Sequence, residues 1–187
     1  MTEPAPRPRL DVRVGSSTDG LTPVSVAERP LAAGAHEWIG LLAVAGAAIL
    51  ADQVTKRIVS GTLALGESKH VLGPLDLHHV QNSGIAFGLF QGATSIVIVL
   101  TSLVILWLLL VFARSGARHP VMPVGLGLVI GGSLSNLADR VRLGHVTDFL
   151  DVDYWPAFNL ADTFIVVGVA LLLAAAVLSD RSHPRSR

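Results

Sequence analysis

The chain has no cysteine, only two lysines, and charged residues at just 15% of its 187 positions. Without cysteine there is no disulfide framework, no thiol nucleophile and no cysteine-based zinc site. A soluble domain carries about 25% charged residues. Low charge, together with 51% hydrophobic residues and a mean hydropathy of +0.58, therefore indicates a membrane protein. The formal net charge is zero, so there is no basic excess for nucleic acid and no acidic tail. Twelve of the 14 positive residues are arginine, a bias that reads as genomic composition.

Hydrophobic runs are abundant by contrast. Residues 1 to about 35 are rich in Pro, Arg, Ser and Gly without apolar periodicity, and read as a disordered tail. The first apolar stretch begins too late, near Trp38, for a cleavable signal peptide. Four apolar segments follow, at about Trp38–Val59, Ala93–Ala113, Val121–Ala138 and Ala161–Leu178. Each approaches the roughly 20 residues that cross a bilayer as a helix. Nine Lys and Arg residues fall in the N-terminal tail, the 114–120 loop and the C-terminal tail, against five in the other connections. That bias puts both termini in the cytoplasm and turns the 60–92 and 139–160 connections outward. Between Asp162 and Asp180 lie 17 uncharged residues, about 26 Å of helix against a hydrocarbon core of about 30 Å. Asp162 thus belongs just below the outer interface, and the other polar clusters count to the same depth.

The first of these clusters is Asp52-Gln53-Val54-Thr55-Lys56, with acid and base four apart in the favourable helical order. It reads either as an interfacial ion pair with a snorkelling lysine or as a contact for a polar group of a substrate. In the outward connection, His70 to Val80 alternates around Gly73-Pro74 as two short strands would. His78 and His79 then point to opposite faces, which disfavours a metal site. Next come Asn82-Ser83-Gly84 and the apolar Ile85 to Phe90, a candidate short interfacial helix. Gly84 and Gly88 prompt the expectation that 82–92 acts as a mobile lid.

In the third segment Gly131 and Gly132 permit close helix packing. Asn136 shares a helix face with Asp139 and Arg140, a polar face that should turn inward. Asp139 reads first as part of a structural hydrogen-bond network. Asp148 follows in Gly144-His145-Val146-Thr147-Asp148-Phe149, flanked by apolar residues and so expected to be partly buried. Tyr154 and Trp155 are placed as interfacial aromatics, and Asp151 and Asp153 as solvated loop residues. Asn159 stands three before Asp162, on one face with it.

Asp148 and Asp162, 14 residues apart, are the chemically suggestive pair. Brought together, two carboxylates share one proton, and the pair can activate water and protonate a carbonyl. One capping and one solvated aspartate is the plainer alternative. A proton-coupled transporter and a non-enzymatic assembly subunit are the rival classes. The first would string its acids along a path rather than gather them at one interface.

Five stretches resemble, in order and spacing, the lipoprotein signal peptidases (signal peptidase II). They are Asp52-Gln-Val-Thr-Lys56, Asn82-Ser-Gly-Ile-Ala-Phe87, Gly131-Gly-Ser-Leu-Ser-Asn-Leu-Ala-Asp-Arg140, Val146-Thr-Asp-Phe149 and Phe158-Asn-Leu-Ala-Asp162. The resemblance covers about residues 38 to 178. It implies an all-α membrane protein of four transmembrane helices with a small extracytoplasmic β-cradle at about 60–92, within a peptidase domain of residues 36–180 followed by a cytoplasmic tail at 181–187. It also implies an aspartic endopeptidase of the bacterial inner membrane that cuts diacylglyceryl-modified prolipoproteins before the lipidated cysteine. Asp148 and Asp162 match the family's catalytic pair and Asp139 a supporting position. Asn82, Asn136, Arg140 and Asn159 match positions lining the site, where they would orient a lipid head group or peptide carbonyls. Asp52 and Lys56 match another polar position and its neighbour, expected among the substrate contacts. The expected partners are the diacylated substrates and membrane lipids, not nucleic acid; no metal or organic cofactor is needed, and a monomer is the expected working unit. Ser135 departs from the family's usual Gly, with a slight change in helix packing expected, and Ile85 from its usual Ala.

Overall fold

The computed structural model describes residues 32–84, 94–114 and 120–181. The expected N-terminal tail, the apolar part of the 82–92 segment and the end of the C-terminal tail lie outside these residues. Four helices account for the four apolar runs: α1 (Ala35–Thr62), α2 (Thr94–Arg114), α3 (Met122–Leu143) and α4 (Leu160–Arg181). Among the described residues, three of them, α1, α2 and α4, are long and apolar enough to cross a membrane. The polar residues of α3 from Ser133 to Arg142 dilute its hydropathy, and α3 packs against all three other helices.

Small residues put α3 at the centre. A Cβ on Gly127 would lie 2.9 Å from the Leu41 carbonyl oxygen, and one on Gly131 would lie 2.7 Å from that of Ala45, so these glycines set the approach to α1. On the other side Gly125 faces Gly168 and Leu172, and Gly132 faces the Ala161 carbonyl of α4. Where lipid removes the hydrophobic drive between helices, close contact of this kind holds them together. Leu41, Ile105, Phe112, Leu126 and Ile130 form the core beneath. There Trp38 meets Phe112 edge to face at 5.0 Å, the arrangement that ring quadrupoles favour.

The connections build a four-stranded antiparallel sheet in the order β1 (Ser68–Leu72), β2 (Leu75–Asn82), β3 (Val146–Val152), β4 (Trp155–Phe158). The two strands expected around Gly73-Pro74 are β1 and β2. Half of the sheet, however, comes from 146–158, where the sequence reading expects no strand. Val146 to Phe149 are all buried, so no half-exposed alternation announces the strand. Asp151 is likewise no loop residue: it sits on β3 with an oxygen 2.8 Å from His78 Nδ1. His79 turns elsewhere, to the Leu63 carbonyl at 2.9 Å. Phe149 packs with Val59 and Leu63, seating the sheet on the C-terminal end of α1.

Candidate active site

Asp162 lies in the first turn of α4, and its position follows from local chemistry. Asn159 Oδ1 accepts the Asp162 backbone N–H at 3.0 Å, while Asp162 Oδ2 accepts the Asn159 N–H at 3.3 Å. This reciprocal exchange across three residues is a capping box, which satisfies two helix N–H groups that would otherwise lack partners. The helix N-terminus also favours a negative charge there.

Asp148 reaches the same place from the sheet. Val80 pairs with Asp148 across β2 and β3, which brings Asn82, two residues on, to the same carboxylate. Asn82 Nδ2 donates to Asp148 Oδ2 at 2.9 Å, and Asn159 Nδ2 donates to Oδ1 at 2.6 Å. Asn159 therefore touches both carboxylates, and it is completely buried. Asp148 is itself only 2% exposed. Burial pushes its carboxyl up to about 6; the charge of Asp162 acts in the same direction, while the amides of Asn82 and Asn159 pull against it.

Both aspartates open onto one cavity of about 630 Å³, lined also by Asn82, Asn136 and Arg140. Its walls are largely apolar, from Val97 of α2, Val146, Trp155, Phe158 and Ile165 to Val167. Arg140 Nη2 donates to the Gly84 carbonyl at 3.2 Å, and the Gly84 N–H donates to Asn82 Oδ1 at 3.0 Å. The end of β2 is thus tied to two residues of the cavity wall.

Three expected substrate contacts, Asp52, Lys56 and Asn159, stand behind that wall rather than on it. Lys56 does not snorkel. Its ammonium points inward, 2.7 Å from Asp52 Oδ2, 2.7 Å from Asp139 Oδ2 and 2.8 Å from Asn136 Oδ1. Three partners replace water, which lets an ammonium remain buried. Asp52 is fully enclosed: Oδ1 accepts the Ala161 N–H of α4 at 2.9 Å, and Oδ2 accepts the Ser135 hydroxyl at 2.7 Å. The departure at Ser135 thus supplies a buried hydrogen bond. Gln53 has no role in the sequence reading, yet it donates to Asp139 Oδ1 at 2.8 Å and to Ser135 Oγ at 3.0 Å. Its signal was its place beside Asp52 on the face turned to α3. Asn136 Nδ2 in turn donates to Asp162 Oδ1 at 2.8 Å, which joins the Lys56 cluster to the two aspartates.

Known proteins resemble this chain in sequence and in fold. Residues 44–178 match the family model for signal peptidase (SPase) II. The chain belongs to the signal peptidase II family. A lipoprotein signal peptidase of Pelotomaculum thermopropionicum is 44% identical over 150 residues, covering 79% of this chain and 98% of its own length. One from Halothermothrix orenii is 42% identical over 126 residues, 67% of this chain and 86% of its own. A bacterial membrane enzyme solved by the in meso method at 2.3 Å superposes with a TM-score of 0.73 at 28% identity, over 79% of this chain and 93% of that one. A second, solved at 1.9 Å, gives 0.67 at 30% identity, over 73% and 91%. Membership in the signal peptidase II family makes the chain a peptidase, and its apolar helices fit a membrane protein.

Proposed function

We propose that the chain is an aspartic endopeptidase that removes signal peptides from diacylglyceryl-modified prolipoproteins, cutting before the lipidated cysteine, with Asp148 and Asp162 as its catalytic pair. One observation carries the reading: Asn159 bonds to both carboxylates where they open onto a largely apolar cavity. The ionised carboxylate takes a proton from water as the water oxygen bonds to the scissile carbonyl carbon, and the protonated partner gives its proton to the carbonyl oxygen. When the tetrahedral intermediate collapses, the carboxyl that took the proton of water gives it to the leaving nitrogen as the C–N bond breaks, and a diol hydroxyl returns its proton to the other carboxylate. The pair returns with one proton, titrating as a unit.

The membrane arrangement accords with this substrate. α3, with 22 residues and a length of about 33 Å, serves as the fourth crossing, both termini are cytoplasmic, and the sheet lies on the outer side of the inner membrane. Acyl chains and an apolar signal segment hold the scissile bond near that interface. The apolar wall then receives lipid and signal side chains, while Asn82, Asn136 and Arg140 meet the polar backbone. The protein works as a monomer.

The test is cleavage of a diacylated prolipoprotein by the purified protein, beside Asp148→Asn and Asp162→Asn. Each substitution is expected to abolish turnover in a protein that still folds. Full activity in either variant would sink the dyad, and a folded wild type that leaves the substrate intact would sink the substrate assignment.

A further inference from the structure

Each asparagine at the dyad is oriented by a group that can only donate. The Asn159 carbonyl is held by the Asp162 backbone N–H and the Asn82 carbonyl by the Gly84 N–H. The Asn136 carbonyl is held by the Lys56 ammonium at 2.8 Å. An ammonium has no acceptor, so the amide must turn its NH2 group away, and Nδ2 lies 2.8 Å from Asp162 Oδ1. A flipped amide would set NH2 against the ammonium and a carbonyl against the carboxylate, losing both bonds. Of the three orienting donors, Lys56 alone is a side chain and can be removed by substitution. It is buried, 4% exposed, and lines no part of the cavity.

We propose that Lys56 is a positioning residue that acts through Asn136: it fixes the amide so that Asp162 Oδ1 always faces a donor. This rests on the reading of Asp162 as catalytic. While the pair passes its proton to and from substrate, an unrestrained amide could turn its carbonyl toward a protonated Oδ1 and trap the proton there. With Lys56 in place Oδ1 remains an acceptor. Asp52 and Asp139, each 2.7 Å from the ammonium, hold Lys56 at that task.

The test is a double-mutant cycle on the full-length protein with a synthetic diacylglyceryl-cysteine lipopeptide bearing a signal segment. It is run in an Asp139→Asn background, so that removing the ammonium does not strand two buried carboxylates. There Lys56→Met is expected to lower kcat about 100-fold, the scale of losing one preorganised donor. KM should move far less, because Lys56 does not reach the cavity. Once Asn136→Leu is present, Lys56→Met should cost less than about threefold further, as residues acting through one another are not additive. Losses that multiply in full, or that fall mainly on KM, overturn the proposal. Should the background or the Lys56 variant fail to fold, Asn136→Asp decides: it keeps Lys56 paired but sets a carboxylate against Asp162. It is expected to lose about 100-fold or more in kcat, and parental turnover there overturns the proposal. Asp162→Asn separates the two readings. Full turnover in that variant overturns the catalytic assignment, whereas an inactive Asp162→Asn beside multiplying Lys56 and Asn136 losses overturns only the positioning role.

Discussion

Adding one methyl group at Gly132 should cripple turnover without touching a titratable residue. A Cβ there would meet the Ala161 carbonyl oxygen inside van der Waals distance, with Ile165 Cγ1 at 2.9 Å and the Ala161 carbonyl carbon at 3.2 Å. The isoleucine can turn aside, but the α4 backbone cannot. To recover ordinary contact, α4 must retreat from α3 by on the order of 1 Å. Asp162 is the next residue along, and its 2.8 Å bond from Asn136 of α3 crosses that seam. Overpacking of this kind costs about 1–3 kcal/mol, and a misplacement of about 1 Å near reacting groups costs on the order of 100-fold in rate. Thermal melts and steady-state cleavage of the diacylated lipopeptide measure the two effects. Gly46→Ala is the control: a Cβ there has no neighbour within 4 Å, and turnover should be unchanged. Parental kcat together with an unshifted melt for Gly132→Ala would refute the claim that the α3–α4 approach sets the geometry of the dyad.

Three further outcomes are expected. Asp148 titrates at about 6 in the folded protein against an ordinary 3.8. The native state therefore binds more protons than the unfolded chain between these values, and stability falls as pH rises through that window, by about 3 kcal/mol at most. Melts across pH 4 to 8 should show that slope in wild type and a shallower one in Asp148→Asn. Asn82→Ala removes a hydrogen bond that holds the Asp148 carboxyl down, so the acid limb of the kcat/KM profile should move to higher pH; an unmoved limb counts against Asp148 as its source. Ser135→Ala leaves Asp52 without its 2.7 Å hydroxyl donor and should cost about 1.5–3 kcal/mol of stability, the range for hydrogen bonds to charged groups, read as a lower melting temperature.

The helices were legible in the sequence because each is defined by its own run of apolar residues, and lipid rewards such a run whatever its neighbours do. That Asn159 and Asp162 share a face was legible for a related reason, since both lie within one helical turn; their reciprocal capping was not. Resemblance in five ordered motifs nominated Asp148 and Asp162 as the catalytic pair. The strand carrying Asp148 was not legible: its partner β2 lies 66 residues earlier at the Asn82 contact, and burial on both faces hid its alternation.

Local spacing determined that Asp52 and Lys56 could pair, and left open whether the lysine reached outward to water or inward. The tertiary structure decided it. With glycines on two faces of α3 admitting α1 and α4, Asp139 and Asn136 come within 2.8 Å of the ammonium, and together with Asp52 they replace the water it would otherwise seek. Composition and periodicity determine which segments leave water. Which polar groups then face one another depends on backbone approaches that no single segment encodes.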